Sequence, residues 1–314
     1  MNQIVLPFLS ICCVTYNHEK FIRPCLEGFV MQKTNFPFEI IVHEDASTDN
    51  TANIVKEYET KYPNLFRCVY QTENQFAKQN TLINILFPMS KGKYIALCEG
   101  DDYWTDPYKL QKQIDFLETH PDFSICSTNA IVKNEIYNVE TEWLGSKQKE
   151  VLTLKDLLRY GSGGATCTLV FRQSVTVTIP DWFYNSKGGD WLLQIIAAKQ
   201  GKMKYFREVT GVYRRHEKGI SCNPDLLKTI GIFENFGLNT INLLKENFNH
   251  KYDLLLNAHA AEYWHFNLMQ FYIQANEKVK ARKSALFVIR NILQIKEPFI
   301  KLKMALKIVI SSYK

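Results

Sequence analysis

Glu99-Gly100-Asp101-Asp102 packs three carboxylates into four positions, directly after the apolar run Tyr94 to Cys98. Like charges set so closely at the end of a buried strand repel one another unless a cation sits among them. A hard divalent ion, Mn²⁺ or Mg²⁺, meets that need, and such ions take their remaining ligands from water and substrate phosphates. The bland alternative is an acidic turn capping the next helix. A second acidic loop, Glu44-Asp45-Ala46-Ser47-Thr48-Asp49, also follows an apolar run. There Glu44 and Asp45 can accept hydrogen bonds from a base or a ribose, whereas Ser47 and Asp49 suit the N-cap of a helix. Farther on, Asp190 in Gly188-Gly189-Asp190-Trp191 opens a helical pattern as either a proton acceptor or a plain cap, and Arg214-Arg215-His216-Glu217-Lys218 sets a histidine among three cations.

These loops need a frame. Strand-like runs at Phe8 to Val14, Glu39 to His43, Phe66 to Tyr70 and Tyr94 to Cys98 alternate with helix-like runs at Lys20 to Gln32, Thr48 to Lys61 and Gln79 to Met89. Strands separated by helices pair in parallel through right-handed crossovers, so this order predicts an α/β fold with a mostly parallel central sheet flanked by helices. In such sheets ligands bind beyond the carboxyl ends of the strands, which is where the loops after the first, second and fourth strands converge. A helix is expected from Pro107 to His120, a strand from Phe123 to Ala130, a glycine-rich loop at Gly161 to Gly164 and an apolar run from Ala165 to Phe171. Beyond Asp225 the pattern is helical almost throughout. We therefore expect a catalytic domain at 1–224 and a helical extension at 225–314.

Composition narrows the partners. With 46% hydrophobic and 22% charged residues the chain is set to fold, and a net charge of +6 without a block of like charges disfavours a nucleic-acid binder. The eight cysteines include no Cys-x-x-Cys pair, which argues against structural zinc. No secretory signal and no apolar run of 18 residues is visible, so the cytoplasm is the expected compartment. The last helix is the exception to an otherwise ordinary surface. Pro298 suits its start, Leu302, Leu306 and Val309 recur at helical spacing, and Lys303, Lys307 and Lys314 share a face. Such a helix can lie peripherally on an anionic membrane at the inner face of the cell, or can pack on the body.

Three segments carry a resemblance. Ser10-Ile11-Cys12-Cys13-Val14-Thr15-Tyr16-Asn17, Glu44-Asp45-Ala46-Ser47-Thr48-Asp49-Asn50-Thr51 and Gly92-Lys93-Tyr94-Ile95-Ala96-Leu97-Cys98-Glu99-Gly100-Asp101-Asp102-Tyr103-Trp104 together resemble the family 2 glycosyltransferases of the GT-A fold. The resemblance implies inverting transfer from a nucleotide sugar, with UDP preferred and Mn²⁺ or Mg²⁺ as cofactor, to a saccharide or lipid-linked saccharide in surface-polysaccharide synthesis. It implies that Thr15 and Tyr16 line the base pocket and that Glu44 and Asp45 hold base and ribose. Lys78 and Asn80 would contact the donor, with Lys78 either supplying a charge one position early or serving as a solvated helix-start lysine. Glu99, Gly100 and Asp101 match the family's Asp-x-Asp stretch, with glutamate a departure at its first place. Asp101, Asp102 and His216 would hold the metal. Asp190 matches the catalytic base, although Gly189 stands where a second acid is usual. Acceptor contacts are expected from the Gly161 to Gly164 loop and from Trp182-Phe183-Tyr184. Two other readings stay open: a sugar-phosphate nucleotidyltransferase, whose glycine-rich basic loop is missing here, and a nucleotide-sugar-binding protein impaired in turnover.

Overall fold

Leu9–Thr15 forms strand β1, which is buried along nearly its whole length because it has a parallel neighbour on each side. The computed structural model describes residues 6–76, 81–145, 148–184, 189–219 and 225–311. Next to β1 lie β2 (Phe38–Glu44) and then β3 (Phe66–Tyr70) on one side, and β4 (Tyr94–Leu97) on the other, all parallel. The crossovers are α1 (Ile22–Val30), α2 (Thr51–Lys61) and, before β4, a π-helical turn at Leu82–Leu86 that runs into α3 (Phe87–Met89). The apolar sides of α1 and α2 give Ile22, Cys25, Leu26, Phe29, Ile54, Val55 and Tyr58 to the same core as Ile11, Ile40 and Val42. Close approach is built in where the chain enters β4. A Cβ on Gly92 would meet the backbone of Leu9 and Ser10 at 2.6 Å, so only glycine fits there.

The second half of the sheet is mixed. The short strand β5 (Tyr103–Trp104) and helix α4 (Lys109–Thr119) lead to β6 (Phe123–Asn134), which runs four residues past the expected end and turns back as β7 (Val139–Glu142). After β8 (Val151–Leu152), only Val170–Arg172 of the apolar run 165–171 and its successor is extended, as β9, because Thr166–Thr168 forms a 3₁₀ turn. β9 lies antiparallel to both β4 and β6, joining the parallel half to β6 and to the long last strand β10 (Lys202–Arg215). The strand order is β3-β2-β1-β4-β9-β6-β10-β5. Between β9 and β10 come the short helix Asp181–Tyr184 and the helix Gly189–Gln200, whose residues Trp191 to Ala197 are all buried.

By compactness the chain divides into two units, 1–154 with 162–215, and 155–161 with 216–314, whereas the sequence pattern placed its boundary after residue 224. The second unit is helical: most of Leu154–Tyr160, then Leu226–Ile232, Asn239–Asn247, Asp253–His259, Phe266–Gln274, Lys278–Arg290 and Pro298–Ser311. Small residues let these helices approach, with Ala261, Ala285 and Ala305 fully buried beside Met269 and Val288. Two histidines pack among the helices of this unit, His259 buried and His265 half-buried. The His265 ring stacks on Phe287 with centroids 4.1 Å apart and its Nδ1 lies 3.2 Å from Ser284 Oγ, while His259 stacks on Tyr263.

Burial, as the main cause, pushes both imidazoles down to about 4. In the unfolded chain they titrate near 6.5, so between these values the unfolded chain binds more protons. The stabilisation from keeping them neutral is complete above about pH 6.5 and is lost as the pH falls toward 4. Urea unfolding across this window should show stability declining by up to about 1.4 kcal/mol per pH unit for each histidine. In His259→Gln/His265→Gln the slope should flatten, and an unchanged slope would remove the two rings as its source.

Candidate active site

The carboxyl ends of β1, β2 and β4 stand side by side because these strands are parallel and in register. Main-chain bonds then tie the three loops together: Gly100 N donates to Val14 O, Cys98 N to Cys12 O, and Asp45 N to Thr15 O. Gly100 is required by this packing, since a Cβ there would lie 2.5 Å from Thr15 Oγ1. Thr15 is buried, with its Oγ1 3.2 Å from His18 Nδ1, whereas Tyr16 is exposed at the rim.

In the second loop the acids brace the chain. Glu44 Oε1 accepts from Ser47 N at 2.8 Å, which supports the left-handed backbone of Ala46 at φ 60°. Asp45 holds the segment after β3, accepting from Gln75 N at 2.7 Å and Phe76 N at 3.2 Å. Both carboxylates are buried and spend oxygens on backbone N–H groups. The N-cap position of α2 falls on Asn50 and neither on Asp49 nor on Ser47; Asp49 Oδ1 accepts from Thr51 N just beyond it, and Ser47 Oγ accepts from Asn17 N. Lys78 and Asn80 lie outside the described residues.

The third loop divides its acids into different situations. Asp102 is buried and its Oδ1 accepts from Arg214 N, 2.7 Å away in β10. Burial, followed by the charges of Asp101 and Glu99, holds its carboxyl well above the ordinary range. Glu99 is half-buried with its Oε2 out of solvent, and burial with the Asp101 charge pushes it up to about 8. Its Oε2 has no hydrogen-bond partner among the described residues. Asp101 is the more accessible acid, with its Oδ2 3.9 Å from His18 Nε2. Sequence reasoning had assigned His18 no role. Its signal was its place in the loop after the first strand, opposite the acidic loop.

Asp190 comes to the same place. Thr166 Oγ1 donates to Asp190 Oδ2 at 3.4 Å, the Glu99 carboxylate also feels Thr166, and the Asp190 charge adds to the upward push on Glu99. Asp190 Oδ1 accepts from Trp191 N at the start of its helix. That helix is keyed to the glycine loop by Gln194, which accepts from Gly163 N at 2.7 Å and donates to Ser162 Oγ. The structure thus joins Asp190 to Glu99 through one threonine, a link the sequence did not disclose. Of the aromatic trio, Phe183 is core, Trp182 packs against it, and Tyr184 is exposed. A small pocket lined by Cys12, Val14, Leu82, Leu97, Cys98, Glu99 and Thr166 opens beside the acidic loop.

Arg214 is the second residue whose weight sequence reasoning missed. Its guanidinium lies 4.3 Å over the Tyr103 ring, donates to Asp101 O, and sits 3.6 Å from Glu135. It therefore fixes the backbone of the acidic loop from β10. His216, the next residue but one, belongs to the second unit and is buried, with Gly219 N donating to its carbonyl. Clustered carboxylates, a buried unpartnered carboxylate oxygen and an imidazole beside Asp101 fit a divalent cation, Mn²⁺ tolerating nitrogen ligands alongside carboxylate better than Mg²⁺.

Residues 10–176 match the family described as Glycosyl transferase family 2. An uncharacterized protein of Mycobacterium tuberculosis is 37% identical over 212 residues, covering 68% of this chain and 60% of its own length. The chain thus spans about 60% of the length of the curated relatives it matches first. The Escherichia coli UDP-Glc:α-D-GlcNAc-diphosphoundecaprenol β-1,3-glucosyltransferase WfaP is 27% identical, over 72% of this chain and 88% of its own. Among solved structures, Staphylococcus aureus TarS 1–349 in complex with UDP-GlcNAc superposes with a TM-score of 0.66 at 19% identity, covering 97% of this chain and 89% of that one. The mannosyltransferase PcManGT from Pyrobaculum calidifontis, in complex with GDP-Man and Mn²⁺, gives 0.58 at 15% identity, covering 99% and 87%.

The bond from Asp102 to Arg214 N makes Asp102 a brace, and this can be separated from metal ligation. Asp102→Asn keeps an acceptor for Arg214 N and should cost less than about 1 kcal/mol, while Asp102→Ala leaves a buried N–H unpaired and should cost about 2–3 kcal/mol. Urea unfolding of the two variants measures this. Equal losses would show that the bond contributes nothing.

Proposed function

This chain belongs to glycosyl transferase family 2 and has the GT-A fold, and from that premise we propose that it moves a sugar from a nucleotide-sugar donor, a UDP-sugar, to an acceptor hydroxyl with inversion at the anomeric carbon. The acceptor is a saccharide, lipid-linked as the name of the E. coli relative describes for its own substrate, and the setting is cell-surface polysaccharide synthesis in the cytoplasm. The observation that carries this reading is the convergence of Glu99, Asp101 and Asp190 at the carboxyl end of β4, with Thr166 between the first and the last.

Each group then has a task. Thr15, Tyr16, Glu44 and Asp45 form the nucleoside end of the site, Glu44 and Asp45 holding its loops in shape and offering their remaining acceptor capacity to ribose and base. Asp101 would hold the divalent cation with His18, whose Nε2 lies 3.9 Å from its Oδ2. When bound, the cation supplies positive charge against which the diphosphate can leave. Asp102 and Arg214 keep the acidic loop from spreading. Asp190 accepts the proton of the attacking hydroxyl, which approaches the anomeric carbon from the face opposite the diphosphate. Its orientation is set by Thr166 and by the backbone N–H of Trp191, so the free lone pairs are the ones an acceptor meets. Glu99, one methylene longer than the usual aspartate and in contact with Thr166, couples the donor side of the site to the base.

Turnover of a panel of UDP-, GDP- and dTDP-sugars with Mn²⁺, read as release of the nucleoside diphosphate, is the direct test. No release with any donor, with or without saccharide acceptors, would overturn the assignment. Asp101→Ala should lose Mn²⁺ binding by electron paramagnetic resonance and lose transfer with it, while melting within a few degrees of the parent. Retained Mn²⁺ binding would put the cation elsewhere.

Asp190→Asn keeps the size of the side chain but cannot take a proton. It should lower transfer by about 10² to 10⁴ with donor affinity little changed. Loss of donor binding in its place would make Asp190 a donor-site residue.

A further inference from the structure

Residues 278–314 contain ten lysines and arginines and a single acid, Glu297. The preceding 277 residues hold the other twenty-eight bases and thirty-one acids, so the whole positive surplus of the chain belongs to this last stretch. Its described part folds as two helices of the second unit, Lys278–Arg290 and Pro298–Ser311. Lys278, Lys280, Lys283, Arg290, Lys296, Lys303 and Lys307 are exposed.

The last helix is attached to its own unit along one side. Ala305 is fully buried there, and Ile308 and Val309 pack on the small helical cores. The two expectations for this helix are therefore compatible, because its other side faces solvent with Phe299 86%, Ile310 64%, Ile300 60% and Leu306 42% exposed. At 100° per residue Phe299, Leu306 and Ile310 fall within about 40° of one another, and Lys303 and Lys307 lie between that stripe and Ile300. Single exposed apolar residues are ordinary, but a contiguous stripe bordered by lysines marks a surface with a partner.

Charge and hydrophobicity together select the partner. A soluble polyanion would satisfy the lysines and leave Phe299 and Ile310 in water. A second copy of the same face would bring lysines against lysines. We propose that the exposed side of the helix Pro298–Ser311, assisted by the basic residues of Lys278–Arg290, docks on an anionic lipid bilayer, with the apolar stripe at the acyl boundary and the lysines among the phosphate headgroups. No described helix is long and apolar enough to cross a membrane, so the contact lies in the plane of the surface.

The test is co-sedimentation with phosphatidylglycerol-containing vesicles against pure phosphatidylcholine vesicles, without donor or acceptor, so that it stands or falls separately from turnover. The protein should pellet with the anionic vesicles, and more weakly as salt is raised. Lys303→Gln/Lys307→Gln should lower the partition coefficient about 25-fold, five-fold for each basic residue near an anionic surface. Phe299→Ser/Ile310→Ser should weaken vesicle binding while leaving retention on a heparin column unchanged. Circular dichroism melting of both variants checks that the helix persists, as their exposure leads one to expect. Failure of the parent to pellet, or pelleting unaffected by both substitutions, would overturn the proposal. Loss on lysine substitution with none on Phe299→Ser/Ile310→Ser would also overturn it, identifying a polyanion site.

Discussion

Three buried or half-buried acids at the end of one strand set the terms for the rest of this site. Glu99, Asp101 and Asp102 cannot all be ionised without compensation, and the surrounding elements compensate each in its own manner. Arg214 N is given to Asp102, the Arg214 guanidinium to the Asp101 carbonyl and His18 to the Asp101 carboxylate, while Thr166, whose hydroxyl goes to Asp190, lies beside Glu99. These partners come from β10, from the loop after β1 and from the turn before β9. The mixed second half of the sheet has a purpose in this light. β9 inserts between β4 and β6, and that insertion brings Thr166 and the Asp190 helix to the acids.

The second acidic loop makes an instructive contrast. Glu44 and Asp45 are also buried at a strand end, yet each has backbone N–H donors of its own, from Ser47 and from Gln75 with Phe76. A carboxylate whose oxygens already accept from local N–H groups needs no metal to satisfy them. Two loops of similar composition thus behave differently because of the donors within reach, a distinction that residue type alone does not carry.

Much of the first half was legible in the sequence for a simple reason: period-2 and period-3.6 patterns alternate there with loops at the strand ends, and elements fell within a few residues of their observed bounds. β6 was harder, because its last residues, Ile131 to Asn134, pair on one side with β7, which is exposed and polar and so has no hydrophobic signature. The 165–171 run was legible only as apolar, and the turn at Thr166–Thr168 within it, which brings Thr166 to Asp190, has no such signature. In the site, residues with unusual chemistry in a loop were visible. Those whose importance comes from a long-range partner, Thr166 and Arg214, were not, since nothing local distinguishes them from ordinary polar residues, and His18 was marked only by its place in the loop after β1.

The bond between Asp102 and Arg214 N spans 112 positions of chain. Contacts of such separation form late, after nearer pairings have reduced the entropy of closing so long a loop. The donor half of the sheet, from β1 to β4, is built from neighbouring segments and can assemble first, but its acidic loop gains its tie to β10 only when that last strand docks beside β6. A folding chain, or one cut short before β10, would therefore present the acids without their brace. The braced form of the acidic loop thus depends on the last strand of the sheet and not on the segments that surround the loop in sequence.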